Sequence, residues 1–373
     1  MAGLKINLDD LESDNDDSAK MSNEGLRLGE LIVSSEGLTT SMGYKYGLSP
    51  EDVVLSATGF LGQGSSGSVR RATHLKTDRD IALKEIKLTG QTHLQEIRRE
   101  LETLHRDGST SPYLVDFYGA FCHEGSVFIA MECMDGSLDG VPKPVPTAVL
   151  ASITRSIIRG LYYLHKVRHL MHRDLKPSNL LYSQDGRIKI SDFGVSSFLE
   201  CTRGDAHSFV GTLTYMSPER LKGESYSFSA DIWSLGLVVA ELALGACPFT
   251  ERFLRNNSST EASFWILLQH LNGDGPVIAL PPSMDPALAS FISGCIQKDP
   301  QRRPTCDELL HHSFIAEGDE NDDRFVIREW LSTVQAPTEV DTSVEESGAP
   351  LVRPPSGLEV VLNLDDELNK LLR

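Results

Sequence analysis

Five short motifs occur in one order along this chain, and that order constrains its fold more than any bulk property. LGQGSSGSV spans residues 61–69, IALKEI carries Lys84, HRDLKPSN runs from His172 to Asn179, DFG begins at Asp192, and SPE ends at Glu219. A glycine triplet alone fits an ordinary hairpin turn, and an isolated lysine fits a solvated strand edge. Together and in sequence, the five mark a chain built around a bound triphosphate.

Each residue type has a chemical reason. Glycine at 62, 64 and 67 lets the backbone turn tightly and approach phosphate oxygens that a β-carbon would obstruct. Lys84 follows the β-forming Ile81-Ala82-Leu83 and should project from a strand toward the phosphates, paired with a carboxylate from the next helix. Glu96 and Glu100 both stand in HLQEIRRELETLH, one turn apart; Glu100 is preferred because its Arg-Glu-Leu context leads into Leu104. Asp174 is placed to orient a substrate hydroxyl or accept its proton, and Asn179 and Asp192 can each hold a metal ion. Lys176 can stabilise charge on the transferred group, which suits phosphoryl transfer, where positioning and charge neutralisation dominate. His172 reads as a buried brace for this loop, since no second histidine or cysteine stands near it at zinc-ligand spacing.

Between Asp192 and Glu219 lies a segment rich in hydroxyls, including Thr202 and Ser208. Arg173, directly before Asp174, offers a guanidinium that could pair with a phosphate there, ordering the loop. Thr212 is expected to hydrogen-bond near Asp174 and Lys176. Arg303 in KDPQRRPT is expected to form a buried pair with Glu219, and Asp231 to bond backbone groups near the catalytic loop or simply to charge its helix N-terminus.

The 373 residues carry a formal charge of -18, concentrated at the ends. Seven acids among residues 1–24 face only Lys5 and Lys20, and residues 316–373 hold fourteen acids against five bases. Such ends disfavour nucleic acid and anionic membranes as principal partners. The six cysteines show no metal spacing and no secretory framework, which implies reduced thiols. With neither a signal-peptide core nor a membrane-spanning apolar run, a cytoplasmic location is expected, compatible with nuclear residence as well.

The pattern divides the chain into an acidic N-terminal extension over 1–48, a catalytic unit over 49–315 and an acidic C-terminal extension over 316–373. A β-like run at 26–34 is expected to pack on the small lobe. That lobe, 49–133, should hold a mainly antiparallel sheet and a helix over Thr92–His105, with a strand at 129–135 that puts Met131 behind the adenine pocket and backbone near Cys133 and Met134 on the base. The large lobe, 136–315, should be mainly helical, with helices at 145–166, from Asp231 onward and at Phe264–Leu271. EGDENDD at 317–323 reads as flexible or as a helix lead-in, before a helix at 324–334. Residues 358–372 fit either an amphipathic helix or a strand, docking a partner or folding back on the lobe.

The chain closely resembles the mitogen-activated protein kinase kinases over about residues 26–334. The resemblance rests on MDGSLD at 134–139, LHKVRHLMHRDLKPSNLL at 164–181, SDFGVSS at 191–197, SFVGTLTYMSPERLKG at 208–223 and YSFSADIWSLGL at 226–237. It implies the α+β, bilobal eukaryotic protein kinase fold, with ATP and Mg²⁺ as cofactors. It also implies that Leu61, Val69, Ala82, Glu132 and Ser178 join Gly62, Gly64, Gly67, Lys84, Met131 and Met134 around the nucleotide. Family members phosphorylate both threonine and tyrosine in the activation loop of a downstream MAP kinase, and an upstream MAP kinase kinase kinase switches them on; a scaffold protein is a further implied partner. Thr202 and Ser208 match the two activating hydroxyls, with five intervening residues as in plant and some protist members rather than three. Two departures stand out: the usual Gly-Gly after Met-Asp is the single Gly136, and the N-terminus lacks a dense basic docking patch. A kinase of single specificity, or a signalling scaffold of low activity, are the alternative readings.

Overall fold

Leucine and valine alternate with polar residues over 26–34, and the chain responds by folding back on itself. The computed structural model describes residues 20–22, 25–41, 43–63, 67–88, 90–105, 111–192, 213–249, 260–316 and 318–334. Strands β1 (Lys20–Ser22), β2 (Gly25–Leu28), β3 (Leu31–Ser34), β4 (Gly37–Thr40) and β5 (Lys45–Gly47) form an antiparallel meander in chain order. The β-like run expected over 26–34 is therefore a hairpin of two strands, β2 and β3. Gly29, at φ +60°, makes the turn, a conformation that costs a side-chain-bearing residue energy.

The second sheet holds β6 (Val53–Gln63), β7 (Ser68–His74), β8 (Arg79–Lys87), β9 (Phe117–His123) and β10 (Ser126–Glu132), all antiparallel in the order β6-β7-β8-β10-β9. Helix α1 (Gly90–His105) follows β8 and buries Ile97 and Leu101, one turn apart on one face. Together these elements make the small lobe.

The large lobe opens with β11 (Gly136–Ser137), which pairs with β12 (Leu180–Tyr182), itself paired with β13 (Ile188–Ile190). Its helices are α2 (Thr147–Tyr162), α3 (Pro218–Leu221), α4 (Ser229–Leu244), α5 (Thr260–Asn272), α6 (Pro286–Cys295), α7 (Cys306–Leu310) and α8 (Glu320–Val334). Helix α2 is shorter than the expected 145–166: Pro146 precedes its first turn, and Tyr163–Val167 continues it as a π-helical turn. Helix α4 is buried from Ala230 to Leu242, so it is apolar nearly all round and forms the axis of the lobe. Of the two forms expected for the acidic run before residue 324, its last four residues take the helical one, so the helix begins earlier than 324. Helix α8 starts at Glu320, where Asp322 and Asp323 complement the positive end of the helix. Buried Asp323 also receives Arg155 and, at 3.4 Å, Arg159 from α2. Among the described residues, no helix is long and apolar enough to cross a membrane.

Candidate active site

Strand register decides which small-lobe side chains face the cleft. Lys84 pairs with Val69 on β7, and Ala82 pairs with Met131 on β10. Side chains two apart on a strand, and those opposed across strands, share a face, so Val69, Ala82, Lys84 and Met131 fall together. Glu132, one residue on, faces the other way. Its carboxylate meets Lys189 at 2.5 Å and Arg187 at 3.0 Å, so its backbone is what is left for the nucleotide edge. Met134 is buried beyond it, and Ser178 is exposed in the 3₁₀ turn Pro177–Asn179.

The glycines differ in what they do. A β-carbon on Gly62 would meet nothing within 4 Å, leaving room beside exposed Leu61 for a ligand. One on Gly67 would lie 1.9 Å from the Glu85 carbonyl oxygen, so Gly67 is required for β7 to approach β8, whatever is bound. Gly64, Thr202, Ser208 and Thr212 lie outside the described residues.

The centre of the site is a chain of charges joining three elements. Lys84 Nζ, on β8, donates to Glu100 Oε1 of α1 at 2.7 Å and to Asp192 Oδ1 at 3.3 Å. Burial opposes the lysine's charge, but the two carboxylates outweigh it and raise its pKa. In return, the ammonium beside Asp192 holds that carboxyl below the usual carboxylate range, so Lys84 and Asp192 are both charged at neutral pH.

Across the cleft, α4 supplies the anchor of the catalytic loop. Asp231 accepts hydrogen bonds from the backbone N–H of His172 (2.8 Å) and of Arg173 (2.9 Å), and its Oδ2 lies 2.8 Å from His165 Nε2. Arg173 and Asp192 both adopt φ in the left-handed region, +74° and +52°, strain that the surrounding bonds must hold in place. His172 Nδ1 accepts from the Asp174 N–H at 3.2 Å while Nε2 donates to the Ser191 carbonyl at 2.9 Å. Asn179 Nδ2 donates to the Asp174 carbonyl (2.8 Å) and to its Oδ2 (3.1 Å), and Lys176 Nζ stands 2.8 Å from that same carboxylate oxygen. Ser191 N–H donates to the Asn179 carbonyl at 2.9 Å, which ties the loop to the residue before Asp192. The outcome is a fixed carboxylate at Asp174 with a cation beside it, facing an ionised carboxylate at Asp192.

Below the cleft, Arg303 grips Glu219 with two nitrogens at 2.7 and 2.8 Å, and its guanidinium stacks 5.0 Å from the Trp233 ring. His165 and the Glu132 clamp were not anticipated. The first could have been found from its place seven residues before His172 in the helix leading into the loop; the second, from strand alternation at Met131-Glu132.

A protein kinase domain model matches residues 55–315. Mitogen-activated protein kinase kinase 5 of Leishmania mexicana is 59% identical over 97% of this chain and 67% of its own length. Mitogen-activated protein kinase kinase 1c of Physcomitrium patens is 39% identical over 82% of this chain and 89% of its own, and mitogen-activated protein kinase kinase 1 of Arabidopsis thaliana is 41% identical over 79% and 86%. With a two-lobed fold, an ordered catalytic loop and likeness across nearly its whole length, the chain belongs to the mitogen-activated protein kinase kinases of the protein kinase family.

Proposed function

We propose that the chain is a dual-specificity kinase that transfers the γ-phosphate of ATP to a threonine and a tyrosine in the activation loop of a downstream MAP kinase, and that an upstream MAP kinase kinase kinase activates it by phosphorylating Thr202 and Ser208. The observation that carries the reading is the Glu100–Lys84–Asp192 chain, which brings strand, helix and loop together around one cation. In this reading Lys84 holds the ATP phosphates, Asp174 orients the acceptor hydroxyl and takes up its proton, and Lys176 offsets the charge that gathers beside it. Met131, Ala82 and Val69 would line the base and sugar side of the nucleotide.

The residues present fit Mg²⁺. Both hydrogen bonds that Asn179 Nδ2 donates run into Asp174, which leaves the amide oxygen as the atom that group can offer a metal, and Asp192 offers an ionised carboxylate. Hard oxygen donors, few in number, suit an ion that also binds substrate phosphates. When bound, Mg²⁺ would neutralise phosphate charge as it builds in the transition state.

The test is to phosphorylate the chain at Thr202 and Ser208, incubate it with candidate downstream MAP kinases, and map the products by mass spectrometry. Phosphate on both threonine and tyrosine of one activation loop is expected. Threonine alone would reduce the reading to single specificity, and transfer no greater than that of Asp174→Asn would favour a scaffold.

A further inference from the structure

The five-stranded sheet ahead of the catalytic unit shares one apolar core with helix α1. Leu28, Leu31 and Val33 are buried with Ile97 and Leu101 of α1 and with Met131. Strand β2 touches α1, while β3, β4 and β5 touch β9. At the hairpin turn a β-carbon on Gly29 would lie 2.8 Å from the Arg98 guanidinium, so the turn presses against α1 one residue beyond Ile97. On the other side, Cys122 Sγ on β9 donates to the Val33 carbonyl at 3.4 Å, and the Tyr46 ring meets Phe117 edge-on at 5.2 Å. The sheet thus grips the helix and the small-lobe sheet at once.

Glu100 lies between Ile97 and Leu101 in the helix, so any roll or outward swing of α1 moves its carboxylate. Its bond to Lys84 is 2.7 Å long, and a displacement of about 1 Å would break it. We infer that the β1–β5 sheet positions α1, holding Glu100 within hydrogen-bond reach of Lys84, and that Leu28 and Arg98 are positioning residues for phosphoryl transfer. A sheet that merely covered apolar surface would lend stability to the lobe without deciding where Glu100 stands.

The two roles separate in the full-length chain. Leu28→Ala opens the shared core, Leu28→Met keeps its volume, and Leu309→Ala removes the same atoms from the buried core of the large lobe, to which Leu28, Ile97 and Leu101 do not belong. Amide exchange over Gly90–His105 and ADP release from ATP are measured at a temperature where all variants are folded. Leu28→Ala is expected to speed exchange in α1 and to lower kcat about fivefold, with Leu28→Met restoring both and Leu309→Ala changing neither. Arg98→Ser, which leaves the core intact, is expected to lower kcat about twofold and so tests the contact even if Leu28→Ala does not fold. Unchanged α1 exchange and full kcat in Arg98→Ser, or equal losses of kcat in Leu28→Ala and Leu309→Ala at matched stability, would overturn the inference.

Discussion

Lys189, buried in β13 of the large lobe, sets its ammonium 2.5 Å from Glu132 at the end of β10, where the chain leaves the small lobe. Asp116 stands 3.5 Å from the same ammonium, and Arg187 reaches the other Glu132 oxygen. From there the charges run through Asp185 to Arg324 of α8, at 2.8 Å. The connection between lobes is therefore clamped by ions as well as by backbone.

Breaking that pair should cost more than removing it. Lys189→Met leaves the Glu132 oxygen that faced the ammonium with only a long bond from the Asp116 N–H, and a loss of about 3 kcal/mol is expected, because a buried charge stripped of its cation keeps its desolvation penalty. The double variant Glu132→Leu, Lys189→Met removes both charges and should recover most of that loss. Urea denaturation of the two single variants and the double gives the coupling directly.

The Arg303–Glu219 pair is more deeply enclosed, with the Arg303 side chain fully buried. Burial alone would raise the Glu219 pKa, yet the guanidinium pulls it below the usual carboxylate range. Arg303→Lys keeps the charge but loses the fork and the stacking on Trp233, so it should not act as a conservative change. A loss of about 2 kcal/mol for lysine and about 3–5 kcal/mol for alanine is expected, read from denaturant midpoints.

What the sequence disclosed and what it hid follow one physical line. HRDLKPSN was legible because its chemistry demands fixed residue types at fixed intervals, and α4 because nothing but a buried axis is apolar on every side. The N-terminal sheet was not. Its strands are three or four residues long, and the alternation of Leu26, Leu28, Leu31 and Val33 reads as one strand unless Gly29 is seen to reverse it. The carboxylate of Glu132 points away from the cleft because its place next to Met131 in the strand puts it on the opposite face of the sheet, leaving its backbone at the nucleotide edge. The start of α8 was hidden by its acids, which look like a solvated run but serve a helix end and a buried arginine.

Acid should weaken the fold through His172. Burial lowers its pKa from the ordinary 6.5, outweighing the neighbouring carboxylates, and a proton on Nδ1 would also break the bond that atom accepts from Asp174 N–H. Below about pH 6.5 the unfolded chain binds a proton at this residue that the folded chain refuses, so stability is full above that pH and falls as pH drops, by up to about 1.4 kcal/mol per unit. The lowered pKa values of Asp231 and Asp192 add loss in the same direction at lower pH, as each carboxylate protonates in the unfolded chain first. Replacing His172 with Phe should destabilise the protein at pH 7.5 and flatten the slope between pH 6.5 and 5.5, measured as denaturant midpoints across that range.

Arg173 is held by its backbone and left open at its side chain. Its N–H donates to Asp231 and its carbonyl accepts from Arg220, yet its Nε is buried with no hydrogen-bond partner among the described residues. A buried guanidinium donor without a partner is costly, and a phosphate on the neighbouring segment would supply the missing acceptor through a charge-assisted bond. Such a bond forms only in the phosphorylated state, so its energy is expressed as activation. Arg173→Lys retains a cation on the same backbone but cannot offer the planar fork, and is expected to shrink the ratio of phosphorylated to unphosphorylated activity about tenfold, close to 1.4 kcal/mol of coupling. The check is to phosphorylate wild type and variant to equal stoichiometry at Thr202 and Ser208 and compare kcat with and without phosphate. An equal ratio in both proteins would mean that the phosphate is read by another residue.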